Sequence, residues 1–309
     1  MHVKVLGTAA GGGFPQWNCA CQNCFSLRLG TFPGKARSQT QIAVSGDGRS
    51  WFLLGASPDL RSQIEASPEL HPGEGVRKSP IAGVVVSSGD LDHVLGLLLL
   101  RELQPLRIYA TPSVRRLLCE DNDMFAMLNR VSDQALWTDM IPETTFSLQS
   151  ANGNGCDLKC ESFPMSSRYP AYVADHRAAQ LEPCQALQGT IIEDRSGKRL
   201  AFMPAVDQVG DDLLALLDSV DLLFFDGTFW SDDELISILG HGQTAREMGH
   251  IAVSSAHGSL RRLAELRRPR KLFLHINNTN PMLDESSDQY RQVQDAGWQL
   301  AEDGWNIQL

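Results

Sequence analysis

The sequence predicts an α/β protein in which two β-sheets carry helices on their outer faces. Short runs rich in β-branched and other apolar residues recur along the whole chain, and each has the length of a strand. Segments with apolar residues at helical spacing lie between these runs, so strands and helices are mixed from one end to the other. Hydrophobic residues make up 42% of the 309 residues, enough for one large core or two modest ones. We therefore expect a compact fold.

Eight runs are predicted as strands because they are apolar or alternate between apolar and polar residues. They are HVKVLGT (2–8), QIAVSGD (41–47), SWFLLGA (50–56), IAGVVVSS (81–88), RIYA (107–110), TIIEDRSGKRLAFMP (190–204), DLLFFDG (221–227) and KLFLHI (271–276). Four segments are predicted as helices, the first of them from Ser57 and Pro58, which suit a cap and a first helical residue. These segments are 58–66, 93–103, 111–121 and 254–268.

A polar, glycine-rich segment, ANGNGCD at 151–157, is the place where composition indicates a boundary. The sequence has no internal repeat and no low-complexity tract. We predict one domain, residues 1–309, made of two halves that join near 151–157.

The charge balance makes nucleic acid an unexpected partner. The formal net charge is -10, and the basic run RRLAELRRPRK (261–271) alternates with apolar residues as an exposed helix face would. The first residues do not resemble a secretion signal, and no stretch approaches the roughly 20 apolar residues that cross a bilayer. We expect a cytoplasmic protein without a membrane span.

Three of the seven cysteines, Cys19, Cys21 and Cys24, lie in the short stretch WNCACQNC. In a chain without a secretion signal, such density suggests a metal site rather than disulfides, and three thiolates suit zinc. A closed tetrahedral site requires a fourth ligand. The alternative is three unpaired thiols in a loop.

A second candidate site lies in VVVSSGDLDHVLGL (84–97), where an apolar strand gives way to polar residues before a helix-like stretch. Asp90, Asp92 and His93 fall together in this loop, at the kind of sheet edge where ligands bind in α/β proteins. The alternative is structural: Ser88 or Asp90 caps the helix, and His93 is half-buried in the first turn.

The same loop resembles the metal-binding loop of the metallo-β-lactamase superfamily, His-x-His-x-Asp-His. Here the six positions are Ser88, Gly89, Asp90, Leu91, Asp92 and His93. Segments 6–13, 221–229, 249–265 and 271–276 are similar to the family's first turn, acidic strand end, glycine-histidine segment and last metal-binding strand. The resemblance spans nearly the whole chain and implies an αββα sandwich.

The resemblance implies one metal site rather than two. Asp92, His93 and His275 match the ligands of one metal, whereas Ser88 and Asp90 replace two histidines of the other. Two imidazoles and one carboxylate suit ferrous iron that binds a substrate and dioxygen, and they also suit zinc or manganese.

Three further residues have open roles beside that metal. Asp90 is either a fourth ligand or a residue that orients another group. For Asp226 the choice is between a role at the metal and a cap on the following turn, and for His250 it is between such a role and core packing. We retain Asp90, Asp226 and His250 as catalytic candidates.

Together WNCACQNC, SSGDLDHVLGLL, FFDGTFW, MGHIAVS and LHINNTNP resemble the pyrroloquinoline quinone (PQQ) biosynthesis protein B family. This implies iron- and O2-dependent hydroxylation of the tyrosine ring of a glutamyl-tyrosine precursor. Our hypothesis for the mechanism is that Asp90 or Asp226 accepts the phenolic proton, since a carboxylate near a metal can act as a general base. Two alternatives remain open: a carrier of PQQ or its precursor, connected with transport, and a metal-dependent hydrolase.

Related phosphodiesterases of the superfamily complete the cysteine site with a histidine, and the matching position in this sequence is Asn278.

Overall fold

The computed structural model describes residues 1–73 and 75–309. The chain divides into two compact units. Unit 1 contains Met1–Leu6, Gln41–Lys198 and Gly304–Leu309, and unit 2 contains Gly7–Thr40 and Arg199–Asp303. No helix among the described residues is both long and apolar enough to cross a membrane.

Ten strands lie among the described residues of unit 1. In chain order they are β1 (His2–Gly7, whose last residue belongs to unit 2), β2 (Gln41–Ser45), β3 (Trp51–Leu54), β4 (Ile81–Val85), β5 (Leu106–Ala110), β6 (Ala135–Asp139), β7 (Phe146–Gln149), β8 (Gly155–Ser166), β9 (Leu187–Asp194) and β14 (Asn306–Gln308). Seven of them form one sheet in the order β14-β1-β2-β3-β4-β5-β6. β3 to β6 pair in parallel, while β7, β8 and β9 pair antiparallel.

The core of unit 1 explains why its central strands are apolar on both faces. Leu53, Val84 and Ile108 from three neighbouring strands are fully buried in one cluster. Parallel strands are typically covered on both faces, which requires such continuous apolar runs. The helices of this unit are α2 (Leu60–Glu65), α3 (Leu91–Val94), α4 (Pro112–Cys119) and α5 (Asp175–Ala178), with 3-10 turns at Pro68–Leu70, Leu95–Leu100, Phe125–Asn129 and Pro183–Gln185.

The helix predicted over 93–103 is shorter and less regular than expected. α3 ends at Val94, and a 3-10 helix continues to Leu100. The cause is the turn after β3: Ala56 N donates to His93 O at 2.8 Å, and Gly96 N donates to Ala56 O at 2.8 Å. These two bonds occupy backbone groups that an α-helix would pair within itself.

Unit 2 is built on four parallel strands in the order β10-β11-β12-β13. They are β10 (Arg199–Met203), β11 (Leu222–Asp226), β12 (Arg270–Leu274) and β13 (Trp298–Leu300). Its helices are α1 (Gln22–Arg28), α6 (Asp211–Leu217), α7 (Glu234–Leu239), α8 (Ser259–Arg262) and α9 (Asp288–Asp295), with 3-10 turns at Arg246–Met248 and Pro281–Leu283.

The helix predicted over 254–268 is reduced to α8. Ser259 N donates to Ala252 O at 3.1 Å and Leu260 N donates to Val253 O at 3.2 Å, so the start of the segment is tied to the preceding residues.

The predicted junction at 151–157 lies inside unit 1, in the turn between β7 and β8 and the first residues of β8. The organisation as a single domain stays a prediction.

Candidate metal centre

Two neighbouring parallel strands of unit 2 deliver a carboxylate and an imidazole to the same edge of the sheet. β11 ends at Asp226, which pairs with Leu274 at the end of β12, and His275 follows directly. His250 arrives from a 3-10 turn through Gly249, whose φ of +87° places it in the left-handed region. One ligand atom from each of Asp226, His250 and His275 lies within 4.8 Å of the others.

The imidazoles of His250 and His275 are stacked, with ring centroids 5.3 Å apart and planes at 23°. His275 has a φ of +56°, which is uncommon for a residue with a side chain and costs on the order of 1–3 kcal/mol. Its neighbours fix this conformation, because Ile276 N donates to Thr8 O and Asn277 N donates to Thr228 O, both at 3.0 Å. Strain held in place by the surrounding backbone is typical of functional residues.

Asp226 is fully buried and accepts four hydrogen bonds. Oδ2 accepts from Val206 N at 2.9 Å and from His250 Nδ1 at 2.8 Å. Oδ1 accepts from Thr228 N at 3.0 Å and from Thr228 Oγ1 at 2.6 Å. Burial alone would raise the pKa of Asp226, but His250, with His275 and Thr228, holds that pKa below its usual range. Four donors fill the acceptor capacity of a carboxylate, so this geometry favours orientation of His250.

Thr228 is a site residue that the sequence did not reveal. Its hydroxyl lies 2.9 Å from His275 Nδ1 and 3.1 Å from His250 Nδ1. Threonine neither titrates nor commonly binds metals, so no pattern of ligand types singles it out. Its place two residues after a strand-end aspartate is the one available signal.

In unit 1, the loop after β4 brings Asp90, Asp92 and His93 to a parallel strand end. His93 Nδ1 lies 2.8 Å from Ser87 Oγ, and His93 Nε2 lies 3.8 Å from Asp92 Oδ2. His93 is 4% exposed, so its ring is held inside the protein with one edge towards the Asp92 carboxylate. Ser87 is the second residue near a predicted ligand that sequence reasoning overlooked.

The other polar residues of this loop bind one another. Ser88 Oγ donates to Asp90 Oδ2 at 2.8 Å, and Asp90 N donates to Ser88 Oγ at 3.2 Å. Tyr172 Oη donates to Gly89 O at 2.6 Å, which ties the loop to the segment before α5. Asp90 stands at the N-cap position of α3, but its side chain makes no capping hydrogen bond.

Cys19, Cys21 and Cys24 lie at the start of α1, with their sulfur atoms within 4.8 Å of one another. Asn278 Nδ2 lies 3.2, 3.7 and 3.3 Å from these three Sγ atoms respectively. Burial, with the neighbouring thiols, raises the pKa of Cys21 to about 11. Asn23 Nδ2 donates to Asn278 O at 3.1 Å and so holds the asparagine over the sulfurs. The three cysteines and Asn278 form the cysteine cluster.

Comparison with known proteins identifies relatives of the whole chain. A family model described as a beta-lactamase superfamily domain matches residues 50–276. "Coenzyme PQQ synthesis protein B" of Methylorubrum populi is 42% identical over 309 residues, and that of Methylococcus capsulatus is 39% identical over 311 residues; each comparison covers 100% of both chains.

Solved structures of similar proteins indicate the same fold as the sequence relatives. The crystal structure of Zn2+-bound PqqB from Methylobacterium extorquens has a TM-score of 0.91 at 41% identity and covers 100% of both chains. A diphosphatase of the PhnP family has a TM-score of 0.65 at 21% identity, covers 99% of this chain and 96% of its own, and supports the fold alone. The predicted metallo-β-lactamase fold is confirmed.

Proposed function

The chain belongs to the coenzyme PQQ synthesis protein B family of the β-lactamase superfamily, and on that premise we propose that it is a metal-dependent enzyme of PQQ biosynthesis. The proposed reaction is hydroxylation of the tyrosine ring of a glutamyl-tyrosine precursor. One atom of O2 becomes a ring hydroxyl group, and the other leaves as water with two protons and two electrons from an added reductant. The product is a catechol.

We propose that Asp92, His93 and His275 hold one ferrous ion, with zinc and manganese as alternatives that suit the same donors. In unit 1, the 3.8 Å between His93 Nε2 and Asp92 Oδ2 is near the separation of about 3 to 3.5 Å expected for two ligands with bonds of about 2.1 Å to one ion. In unit 2, His275 Nδ1 is engaged by Thr228, so Nε2 is the ligand atom. When bound, ferrous iron supplies electrons and a common point for substrate and dioxygen.

The bond between Ser88 and Asp90 is the observation that carries this proposal. These positions hold histidines in two-metal members of the superfamily. Here Ser88 is 1% exposed, and its hydroxyl is committed to the Asp90 carboxylate. A serine paired with a carboxylate offers no imidazole to a second metal, which supports a one-metal enzyme over a two-metal hydrolase.

Asp90 is the proposed acceptor of the phenolic proton. Its carboxylate is half-buried and accepts a hydrogen bond from Ser88. Asp226, the other candidate, is fully buried and already accepts four donors. A general base must reach the proton that it removes, and this requirement favours Asp90.

His250 is proposed to hold a proton beside the metal rather than to bind it. Its Nδ1 is fixed by Asp226 at 2.8 Å, and its ring lies against that of His275. A carboxylate on one ring nitrogen stabilises the imidazolium form, so the Nε2 atom suits transient protonation.

The first test is anaerobic reconstitution with ferrous iron, followed by glutamyl-tyrosine, ascorbate and O2, with products measured by mass spectrometry. We expect a product heavier by one oxygen atom, and 18O2 should supply that atom. His93→Ala and His275→Ala should abolish the product, whereas His241→Ala, at an exposed histidine of unit 2, should not.

Metal analysis separates the alternatives. One ion in addition to zinc at the cysteines supports the proposal, whereas two additional ions and a hydrolysed product would favour the hydrolase. Tight binding of PQQ by the iron-loaded protein without turnover would favour the carrier and contradict the hydroxylase.

We propose structural zinc at Cys19, Cys21 and Cys24. Rotation of the Asn278 carboxamide by 180° exchanges Nδ2 for Oδ1 and presents an oxygen to the same point among the sulfurs, so Asn278 is the proposed fourth ligand. One zinc per chain that survives gel filtration, and its loss in Cys24→Ser but not in Cys184→Ser, would support the assignment.

A further inference from the structure

Thr228 touches the carboxylate and both imidazoles of unit 2 through a single hydroxyl group. These four side chains, Asp226, Thr228, His250 and His275, form the histidine cluster. The hydroxyl carries one hydrogen and two lone pairs, whereas the carboxylate accepts hydrogen bonds only. The directions of all hydrogen bonds in the cluster can therefore be worked out in order.

The first step determines which atom receives the hydrogen bond from the Thr228 hydroxyl. Thr228 Oγ1 lies 2.6 Å from Asp226 Oδ1, the shortest contact in the cluster, and it must donate there because the carboxylate has no hydrogen. Its lone pairs then face the two imidazoles. Each imidazole nitrogen that points at this oxygen must therefore carry a hydrogen.

The second step fixes the tautomer of His275. Its Nδ1 lies 2.9 Å from Thr228 Oγ1 and so must be the protonated nitrogen. The opposite tautomer would set the Nδ1 lone pair against a lone pair of the hydroxyl. With the hydrogen on Nδ1, Nε2 has the lone pair that binds a metal.

The tautomer of His250 is fixed by a different partner, the Asp226 carboxylate. Its Nδ1 lies 2.8 Å from Asp226 Oδ2 and 3.1 Å from Thr228 Oγ1, so the carboxylate is the nearer acceptor. His250 should keep its tautomer without the hydroxyl, whereas His275 should not. The tautomer of His250 therefore serves as an internal reference for that of His275 when the Thr228 hydroxyl is removed.

Thr228 itself is rigidly placed. It is 2% exposed; its N–H donates to Asp226 Oδ1, and its carbonyl accepts from Asn277 N at 3.0 Å and Asn280 Nδ2 at 3.2 Å. A β-branched side chain on a fixed backbone has few rotamers. The hydroxyl is thus ordered before any ligand arrives.

We infer that Thr228 is a positioning residue whose hydroxyl holds His275 in the Nδ1–H tautomer and thereby makes Nε2 its metal-ligand atom. The inference rests on the proposed metal role of His275, but it depends neither on iron nor on hydroxylation. It concerns the protein before the metal binds.

The test compares Thr228→Val, which keeps the shape and removes the hydroxyl, with Thr228→Ser, which keeps the hydroxyl. Nitrogen-15 spectra of the histidine rings in the metal-free full chain report each tautomer. We expect Nδ1–H at both histidines in the unmodified protein, a tautomer mixture at His275 alone in Thr228→Val, and restoration in Thr228→Ser.

Metal affinity gives the second readout. Cobalt titration, with thiolate charge-transfer bands marking the cysteine cluster separately, should show affinity at the histidine site weakened by about 10- to 100-fold in Thr228→Val and largely restored in Thr228→Ser. Thr111→Val is the matched control, because Thr111 is a buried threonine of unit 1 that donates to Gln185 O at 2.7 Å. It should lower stability and change neither tautomers nor affinity.

Several results would overturn the inference. An Nε2–H tautomer at His275 in the unmodified protein would do so without any variant. Unchanged tautomers and affinity in a folded Thr228→Val protein, or a folded Thr228→Ser protein that fails to restore them, would have the same effect. If the tautomer results hold while the unmodified protein makes no oxygenated product, the inference stands and the proposed function fails.

Discussion

The histidine cluster and the cysteine cluster differ in what holds their side chains in place. Asp226, His250 and His275 are 0%, 9% and 5% exposed, and charged or strongly polar partners bind them at 2.6–3.1 Å. The cysteines sit at the start of a short helix, two of them half-buried, with one amide at 3.2–3.7 Å. Sulfur is a weak hydrogen-bond acceptor. The first cluster is therefore ordered by the protein, whereas we expect the second to be ordered by the zinc proposed there.

Removing the charge at the centre of the histidine cluster should have the largest effect. In Asp226→Asn, the amide NH2 would face a backbone donor in either orientation, Val206 N at the position of Oδ2 or Thr228 N at the position of Oδ1. We expect the free energy of unfolding to fall by about 3–5 kcal/mol, with weaker metal binding at the histidines. Denaturant unfolding and cobalt titration measure the two effects.

Asp303→Asn is the control for this change, since Asp303 is half-buried and accepts from Ser38 N at 2.6 Å and Thr8 Oγ1 at 2.7 Å. It should cost stability but leave metal affinity unchanged. Normal affinity in a folded Asp226→Asn protein would show that the carboxylate does not orient the site.

Glu234 lies between the two clusters in the chain's contacts, because it binds Thr279, the residue that directly follows the segment from His275 to Asn278. Its Oε1 accepts from Thr279 Oγ1 at 2.5 Å and its Oε2 from Trp230 N at 2.6 Å. Burial raises its pKa from 4.5 to about 7. The folded protein thus keeps a proton that the unfolded chain releases.

The sign of the pH effect follows from this pKa. Stability from Glu234 should be complete below about pH 4.5 and decline as pH rises to about 7, by about 3 kcal/mol in total. Glu234→Gln should remove this decline from the pH dependence of unfolding in the metal-free protein. Parallel pH profiles for the two proteins would contradict the raised pKa.

Removal of zinc by a chelator should lower the stability that depends on the cysteine cluster. If zinc orders the cysteines, a zinc concentration of 100 times the dissociation constant should stabilise the fold by about 2.7 kcal/mol, and a chelator should remove that increment. Calorimetry measures the shift in unfolding temperature. Cys24→Ser should abolish the response and Cys184→Ser, at an exposed cysteine, should retain it. A response in Cys24→Ser would place the stabilising metal elsewhere.

The smallest effect is expected from a better fourth ligand. Asn278→His replaces an amide beside the three sulfurs with an imidazole, which binds zinc more strongly. We expect zinc affinity to rise by about tenfold, or about 1.4 kcal/mol. Competition with a chromophoric chelator measures this change. Weaker binding would mean that the loop cannot accommodate the ring.

The sequence predicted the elements whose patterns are local. All eight strand runs contain strands, because continuous apolar segments suit buried parallel strands. The segment 111–121 was predicted as a helix from its apolar spacing and contains α4, and Thr111 caps this helix by accepting from Val114 N. The helices over 93–103 and 254–268 were wrong in extent, since distant backbone groups capture their hydrogen bonds. β6, β7, β8, β13 and β14 were missed, and β8 alternates exposed and buried residues.

The candidate site shows the same division. The titratable residues and cysteines could be predicted because their types and spacing indicate metal chemistry. Thr228 and Ser87 could not, since their importance comes from the atoms that they contact. The roles of Asp92, His93 and His275 at one ion stay a prediction.

The bonds between Ala56 and the segment that carries His93 matter for anyone who transplants this loop into another scaffold. A Cβ atom at Gly96 would lie 2.3 Å from Ser57 O, so the two backbones meet without room for a side chain. Residues 84–97 are therefore not a portable module. A graft that kept the sequence of residues 84–97 but left out the turn at 55–57 would form an ordinary helix. The imidazole of His93 would then no longer point in the direction that it has here.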